Sequence, residues 1–166
     1  MVIRQIFDNE KDTIYDFIKF AFSTAYSSDG TEQDYASSLR NSDAYIPTLE
    51  LVMEDEGKII GHIMATKFKT PFNIKSVIIG PVCIHSSYRD KGLGRSLVDV
   101  VCEKSAELGY EVAFVAGDPK FFSRIGFKPT IEFGLKNLNH LEDKYVQCKE
   151  LKKGVLNSVS GVFSVV

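Results

Sequence analysis

The sequence contains little cysteine, and its three cysteines form no recognisable cluster. Cys83, Cys102 and Cys148 are widely spaced, without the CxxC pairs or Cys–His groupings that a zinc site requires. We therefore predict no metal site. The odd number and wide spacing of these cysteines favour a reducing environment such as the cytoplasm.

Charge of one sign is also scarce, since 20 Lys and Arg residues face 22 Asp and Glu residues and leave a net charge of -2. A protein that binds nucleic acid through bulk positive charge needs clustered Lys and Arg, so we predict no nucleic-acid partner, although a local anion site stays open. Long apolar runs are missing as well. The apolar start, Val2 to Phe7, is too short for a signal peptide, and no segment approaches the ~20 apolar residues of a membrane span. We predict a cytoplasmic protein with no membrane partner.

The remaining composition predicts a single domain over residues 1–166. Of the 166 residues, 44% are hydrophobic, and a chain of this length can bury a core of its own. Thr31 and Asp34 have the spacing of a capping box at the start of a helix. Gly80-Pro81 interrupts an apolar strand and predicts a bulge or a splayed strand, because proline removes a ladder donor.

The order of predicted elements is that of a mixed α+β domain with a largely antiparallel sheet. Helices are predicted from apolar residues at 3.6-residue spacing, and strands from alternation or short apolar runs. The predicted elements are a strand at residues 2–7, a helix with an inward face from Ile14 to Phe22, a second helix after Thr31, a β-hairpin at residues 49–68, a strand at residues 76–84, a helix at residues 97–108 that stops at Gly109, a strand at residues 112–116, a helical turn at residues 119–124, and strands at residues 146–151 and 159–165.

The segment from Val82 to Arg95 carries the clearest chemical signal. It runs from an apolar strand through a glycine-bearing turn into an amphipathic helix, and such a helix start binds anions through free N–H groups and the helix dipole. The phosphate-loop pattern GxxxxGK[ST] is absent, and the dinucleotide pattern GxGxxG fails because Leu97 stands at its third glycine. The pattern R-x-x-G-x-G is met by Arg89 to Gly94.

This hexamer resembles motif A of the GNAT acyltransferases. A second segment, Gly117 to Phe127, is similar to motif B of the same family, and Gly30-Thr31-Glu32 resembles a bacterial subfamily of N-acetyltransferases. The resemblance covers Val2 to Lys128 and, more loosely, the C-terminal strands. It implies the GNAT acyl-CoA N-acyltransferase fold: α+β, with a mixed, mostly antiparallel sheet, helices on both faces and a splayed central strand pair. Gly80-Pro81 would mark the splay.

The resemblance implies acetyl-CoA as cosubstrate and direct transfer of its acetyl group to a primary amine in a ternary complex. The backbone of one strand would hydrogen-bond the pantetheine amides and the thioester carbonyl, the glycine-bearing loop would hold the pyrophosphate mainly through backbone N–H groups, and motif B would flank the lower pantetheine and the sulfur. The residues implied for these three roles are, respectively, Val82, Cys83 and Ile84; Arg89, Asp90, Lys91, Gly92, Leu93, Gly94 and Arg95; and Asp118, Phe121 and Phe122.

The chain departs from the family pattern at Phe122. Many GNAT enzymes have a tyrosine there that protonates the departing thiolate, and phenylalanine has no proton to give. For the base that accepts the amine proton, Glu32 is the first candidate and His85 the second. A nucleophilic Cys83 is disfavoured because it lies inside an apolar run, and His62 is interpreted as structural.

Two other functions remain open from the sequence. One is a catalytically weak acyl-CoA-binding regulatory module, which Phe122 favours, and the other is a nucleotide-binding protein that uses the same loop. The acceptor is predicted to be a small-molecule amine or a peptide amine; the absence of an acidic cluster disfavours polyamines. The apolar C-terminus, Val162 to Val166, either completes the sheet or forms an edge for a partner such as a second copy in a homodimer.

Overall fold

A computed structural model of the protein describes residues 1–165. The helices are α1 (Lys11–Ser23), α2 (Glu32–Arg40), α3 (Leu93–Glu107) and α4 (Pro119–Ser123). The strands are β1 (Val2–Gln5), β2 (Glu50–Asp55), β3 (Lys58–Phe68), β4 (Ser76–Ile84), β5 (Val112–Ala116), β6 (Lys128–Pro129), β7 (Leu135–Asn137), β8 (Val146–Glu150) and β9 (Gly161–Phe163). This order confirms the predicted mixed α+β sequence of elements. No helix of the described residues is both long and apolar enough to cross a membrane.

The chain forms two compact units that interleave along the sequence. The first unit comprises Met1–Thr66 and Gly80–Lys104, and the second comprises Lys67–Ile79 and Ser105–Val166. Strand β4 therefore contributes its first half to the second unit and its second half to the first.

In the first unit, β2 pairs antiparallel with both β1 and β3. The turn between β2 and β3 places Glu56 and Gly57 at φ values of 48° and 77°. Two successive positive φ angles are the backbone of a tight hairpin turn whose twist matches that of the flanking strands. The predicted hairpin is confirmed.

Helices cover both faces of this sheet, as predicted. On one face, α3 packs so closely that a Cβ atom added to Gly61 would lie 2.9 Å from Ile84 Cδ1 and 3.1 Å from Leu97 Cδ1. On the other face, α1 and α2 bury a continuous apolar cluster, so the amphipathic patterns of the two helices are explained by burial. Its most buried members are Ile14, Ile18, Ala21, Ala36, Val52 and Met64, each 0% exposed.

The start of α2 differs from its prediction in one detail. Thr31 is the residue before the helix, but its hydroxyl donates to Asp29 Oδ1 at 2.6 Å and does not cap the helix. The Asp34 carboxylate accepts a hydrogen bond from the Tyr15 hydroxyl at 2.7 Å and does not reach back to Thr31. The predicted capping box is wrong because both side chains find partners outside the helix.

In the second unit, the first half of β4 pairs in parallel with β5, while β5 and β6 each pair antiparallel with β8. The β4–β5 register runs from Ser76 opposite Val112 to Ile79 opposite Val115. It stops immediately before Gly80-Pro81, where the peptide bond is cis. The irregularity predicted from Gly80-Pro81 therefore lies where this pairing ends.

The C-terminal strand has a partner that the sequence did not indicate. Strand β9 pairs in parallel with β7 in a separate two-stranded sheet, so the first of the two alternatives for the C-terminus, completion of the main sheet, is wrong. Phe163, which is 4% exposed, explains this placement because its ring packs against Phe114 at a centroid distance of 5.5 Å. Val166 lies outside the described residues.

Candidate active site

The loop before α3 has the geometry of an anion site. Asp90 and Gly92 adopt positive φ angles of 61° and 76°, which turns the chain into the helix at Leu93. Ser96 N donates to Gly92 O at 3.2 Å, which is the first hydrogen bond of the helix. The N–H groups of residues 93–95 come before it and have no acceptor within the helix. The dipole places partial positive charge at this end, and the exposed side chains of Lys91 and Arg95 add to it.

The Arg89 side chain is directed toward carbonyl oxygens of the protein, although its position in the loop suggests a contact with phosphate. Its guanidinium donates to the carbonyl oxygens of Ala21 at 2.6 Å, Thr24 at 2.9 Å and Ile84 at 3.2 Å. Two of these carbonyls lie at the C-terminal end of α1, where a positive charge is favourable. Any contact of Arg89 with a phosphate is therefore expected from its backbone.

The end of β4 presents one backbone edge away from β3. His85 N donates to Ile60 O at 2.8 Å on the β3 side. Successive residues of a strand direct their N–H and C=O groups to opposite sides, so those of Val82 and Ile84 face the other edge. The Arg89 bond to Ile84 O occupies one carbonyl of that edge. The strand predicted to hold the pantetheine thus has amides facing away from β3.

Cys83 is poorly suited to nucleophilic catalysis. Its side chain lies in the apolar cluster beneath α1 and α2 and is 8% exposed. Burial raises the pKa of the Cys83 thiol to about 12, although the positive charge of Arg89 opposes the shift and the negative charge of Glu32 adds to it. Because only the thiolate is a strong nucleophile, the structure supports the expectation that Cys83 does not act as one.

Glu32, the first candidate for the base, has one carboxylate oxygen that is hydrogen-bonded and one without a partner among the described residues. It is the first residue of α2, and its Oε1 accepts a hydrogen bond from the Ser28 hydroxyl. Its Oε2 is buried without a hydrogen-bond partner among the described residues.

His85, the second candidate, is already engaged. Its Nδ1 accepts a hydrogen bond from Ser87 N at 3.0 Å, and its ring lies 5.1 Å from that of Phe20 and 5.8 Å from that of Tyr88. In the neutral imidazole this bond leaves the proton on Nε2, so neither nitrogen offers a free lone pair. His85 Nδ1 could accept a substrate proton only by giving up this bond.

Motif B lies in the second unit and is built around phenylalanine packing. Asp118 precedes α4 and accepts a hydrogen bond from Lys120 N at 2.9 Å, which is an N-cap. Phe122 is 4% exposed, with ring centroids 4.9 Å from Phe121 and 5.3 Å from Phe127. Phe122 is thus mainly a core residue, while Phe121 is half-buried. The roles of these residues toward pantetheine stay predictions.

A buried polar cluster beneath α2 was missed by the sequence analysis, which interpreted only His62 as structural. Glu50, 0% exposed, accepts hydrogen bonds from Arg40 Nε at 3.0 Å and the Tyr45 hydroxyl at 2.6 Å, and its Oε1 lies 2.9 Å from His62 Nε2. Burial alone would raise the pKa of Glu50, but the bonds from His62, Arg40 and Tyr45 outweigh it and lower the pKa to about 2. The four residues of this cluster do not form a recognisable sequence motif.

Across residues 1–165, no group of three or more His, Cys, Asp or Glu side chains is arranged to hold a metal ion. The candidate site of the first unit is built from backbone amides, the cations Lys91 and Arg95, and the Glu32 carboxylate. Such a set can bind an anion, present a polarising N–H edge and accept a proton.

Comparison with known proteins gives the family. The model of the GNAT acetyltransferase domain matches residues 48–129. The curated N-acetyltransferase YhbS of Escherichia coli K12 is 30% identical over 117 residues, which cover 69% of this chain and 70% of that protein. The chain therefore belongs to the GNAT acetyltransferases.

Solved structures agree with this assignment. The crystal structure of YhbS from Escherichia coli in complex with CoA has a TM-score of 0.86 at 25% identity and covers 98% of this chain and 88% of that chain. A GNAT acetyltransferase from Brucella melitensis in complex with acetyl-CoA has a TM-score of 0.78 at 22% identity, over 99% of this chain and 95% of that chain. The predicted GNAT fold is confirmed.

Proposed function

We propose that the protein transfers the acetyl group of acetyl-CoA to a primary amine by direct attack in a ternary complex. The observation that carries the proposal is the segment from β4 to α3, which combines an amide edge facing away from β3 with an open helix N-terminus. Family membership and the CoA and acetyl-CoA complexes of the two structural relatives support the same cosubstrate.

The cofactor would be held chiefly by backbone groups. The N–H groups of Leu93, Gly94 and Arg95 would bind the pyrophosphate, and the side chains of Lys91 and Arg95 would supply positive charge at the mouth of the loop. The turn needs Gly92 because its φ is 76° and an added side chain would be strained there.

Acetyl transfer would require the negative charge on the thioester carbonyl oxygen to be stabilised and a proton to be removed from the amine. Attack on the thioester places negative charge on the carbonyl oxygen, and an N–H group of the β4 edge at Val82 or Ile84 would stabilise it. Amines are mostly protonated near neutral pH, so a base is required, and the free Oε2 of Glu32 would accept the proton directly or through water.

The departing thiolate would leave without help from motif B. Phe122 carries no hydroxyl, and the Ser123 hydroxyl, directed to Lys120 O at 3.5 Å, is a poor acid. The step therefore relies on the stability of the CoA thiolate. Phe122 is also the observation that favours the second candidate function, an acyl-CoA-binding module without turnover.

Two measurements test the proposal. The first is the melting temperature with acetyl-CoA, CoA or NAD at equal concentration; a ligand at a hundredfold excess over Kd stabilises the native state by about 2.7 kcal/mol. We expect a shift with acetyl-CoA and CoA but not with NAD. A shift with none of them contradicts the proposal, and an equal shift with NAD would favour a general nucleotide-binding protein.

The second measurement is thiol release from acetyl-CoA in the presence of small amines, amino acids and peptides with free N-termini. Release above the hydrolysis background with at least one amine supports the enzyme. Tight CoA binding without release across the panel would favour the regulatory module. A control without amine separates transfer from hydrolysis.

A further inference from the structure

The side chain of Arg89 joins two segments that are far apart in the sequence. Its guanidinium donates to the carbonyls of Ala21 and Thr24 at 2.6 and 2.9 Å, across more than 60 positions of the chain. Its backbone, however, opens the loop that leads to Gly92 and α3. One side chain thus connects the proposed pyrophosphate loop with the C-terminal end of α1.

The end of α1 leads directly into the segment that carries the proposed base. Residues 24–31, here called the α1–α2 segment, are mostly exposed, and Tyr26 is fully so. Their second half is tied locally, since Gly30 N donates to Ser28 Oγ at 3.1 Å and the Ser28 hydroxyl donates to Glu32. Their first residue, Thr24, is tied by Arg89. The segment that holds Ser28, the partner of the Glu32 carboxylate, is thus contacted at its first residue by Arg89.

We propose that Arg89 is a positioning residue that couples occupation of the pyrophosphate loop to the order of the α1–α2 segment, so that acetyl-CoA binding prepares Glu32 for the amine. This inference rests on the proposed function. An anion bound to the N–H groups that follow Arg89 immobilises the loop backbone, and the guanidinium transmits that restriction to the carbonyls of α1. A second ligand that needs the same segment ordered then pays a smaller entropic cost, which is positive coupling between the two sites.

Arginine is suited to this task by its shape. Its planar guanidinium offers five N–H donors in a fixed geometry and serves three carbonyl oxygens at once, including Ile84 O. Lysine would bring a single point charge, and glutamine would bring two donors without charge. Arg4 supplies a matched control because it lies outside the proposed site and also joins two distant segments, through hydrogen bonds to Glu10 Oε1 at 2.6 Å and Glu54 Oε2 at 2.9 Å.

Hydrogen exchange measured by mass spectrometry on the full chain tests the coupling. Wild-type protein, Arg89→Gln and Arg4→Gln are compared with and without saturating CoA, after calorimetry has given the affinity of each. In the wild type we expect CoA to slow exchange at residues 90–96 and, by about fivefold or more, in the α1–α2 segment, because coupling between sites typically spans 5–150-fold. Arg89→Gln should lose the second effect and keep the first, whereas Arg4→Gln should keep both.

Arg89→Lys adds a conservative variant. It keeps the charge and one of the three hydrogen bonds, so it should restore part of the CoA-dependent protection, and it carries the test if Arg89→Gln does not fold. The coupling is wrong if CoA protects the α1–α2 segment equally in the wild type and in the Arg89 variants, or if it protects the loop but never the segment. Loss of CoA affinity by tenfold or more in Arg89→Gln, with segment protection intact at saturation, would instead make Arg89 a phosphate ligand.

These outcomes are distinct from failure of the proposed function. If the wild-type protein neither binds CoA nor shows protection at residues 90–96, the acetyltransferase proposal fails and the coupling fails with it. If CoA binds and protects the loop alone, only the coupling is overturned.

Discussion

Replacing Glu50 by glutamine should destabilise the protein strongly. The side chains of Glu50 and Arg40 are 0% and 7% exposed, and the substitution leaves the Arg40 guanidinium buried without a counter-charge. Breaking a buried pair by removing one partner typically costs about 3–5 kcal/mol. We expect a loss of that size in the free energy of unfolding at pH 7. Because the chain has no tryptophan, the unfolding in urea is followed by circular dichroism.

The pH dependence of the same variant is a sharper test. The pKa of Glu50 is lowered from its ordinary value of 4.5 to about 2, which corresponds to about 3 kcal/mol at about 1.4 kcal/mol per pH unit. A lowered carboxylate pKa contributes stability above pH 4.5, and that contribution is lost as the pH falls toward 2. Glutamine does not titrate, so the stability gap between wild type and Glu50→Gln should narrow by about 2 kcal/mol between pH 7 and pH 3.

Glu54→Gln is the matched control. Glu54 lies on the same strand and also pairs with an arginine, Arg4 Nε at 2.9 Å, but its side chain is 33% exposed. A pair open to solvent is worth about 0.2–1 kcal/mol. The reasoning is refuted if Glu50→Gln costs no more than Glu54→Gln, or if the gap of Glu50→Gln to wild type is the same at pH 7 and pH 3.

Three further predictions concern catalysis, a helix cap and thiol reactivity. Glu32→Gln should lower kcat in the thiol-release assay by about 10²–10⁴-fold while the CoA affinity measured by calorimetry changes less than about twofold, because the base acts only in transfer. Asp118→Ala should lower the free energy of unfolding in urea by about 1 kcal/mol, because Lys120 N loses its acceptor. Cys83 should resist iodoacetamide at pH 8 in the native protein and react once the protein is unfolded, because its thiol is buried and its pKa is about 12; peptide mass spectrometry measures the modification.

Each of these has a clear contrary result. If Glu32→Gln retained the full kcat, another group would be the base, and His85 would be the next residue to replace. Unchanged stability in Asp118→Ala would mean that α4 does not depend on its cap. Rapid alkylation of Cys83 in the folded protein would reopen the nucleophile that the structure disfavours.

The elements that the sequence predicted well are those whose signal is local. The apolar spacing around Ile14 and Ile18 indicated α1 because every turn of a helix repeats the same face toward the core. The turn residues Asp55 to Lys58 indicated the β2–β3 hairpin because they follow a segment in which apolar and polar residues alternate and precede another extended segment. The anion loop was also predictable, since strand, glycine and helix start follow one another within a few residues.

Side-chain partners were predicted less well. Thr31 and Asp34 have capping-box spacing, yet each bonds elsewhere, to Asp29 and Tyr15. Neither the pairing of β9 with β7 nor the cluster around Glu50 left a pattern in the sequence. These contacts join residues brought together by folding, and no local periodicity records them.

The sequence by itself determined most of the helices and strands and the family that the pattern resembles, and it predicted an anion-binding loop. It also supplied Glu32 as the first candidate base and His85 as the second. Only the tertiary structure showed their hydrogen-bond partners, with His85 Nδ1 accepting from Ser87 N and Glu32 Oε2 buried and unpartnered among the described residues. It likewise turned the Arg89 side chain toward α1. The physical reason is that secondary structure follows from short-range sterics and periodic burial, whereas the state of a polar group is decided by neighbours that may be distant in the chain.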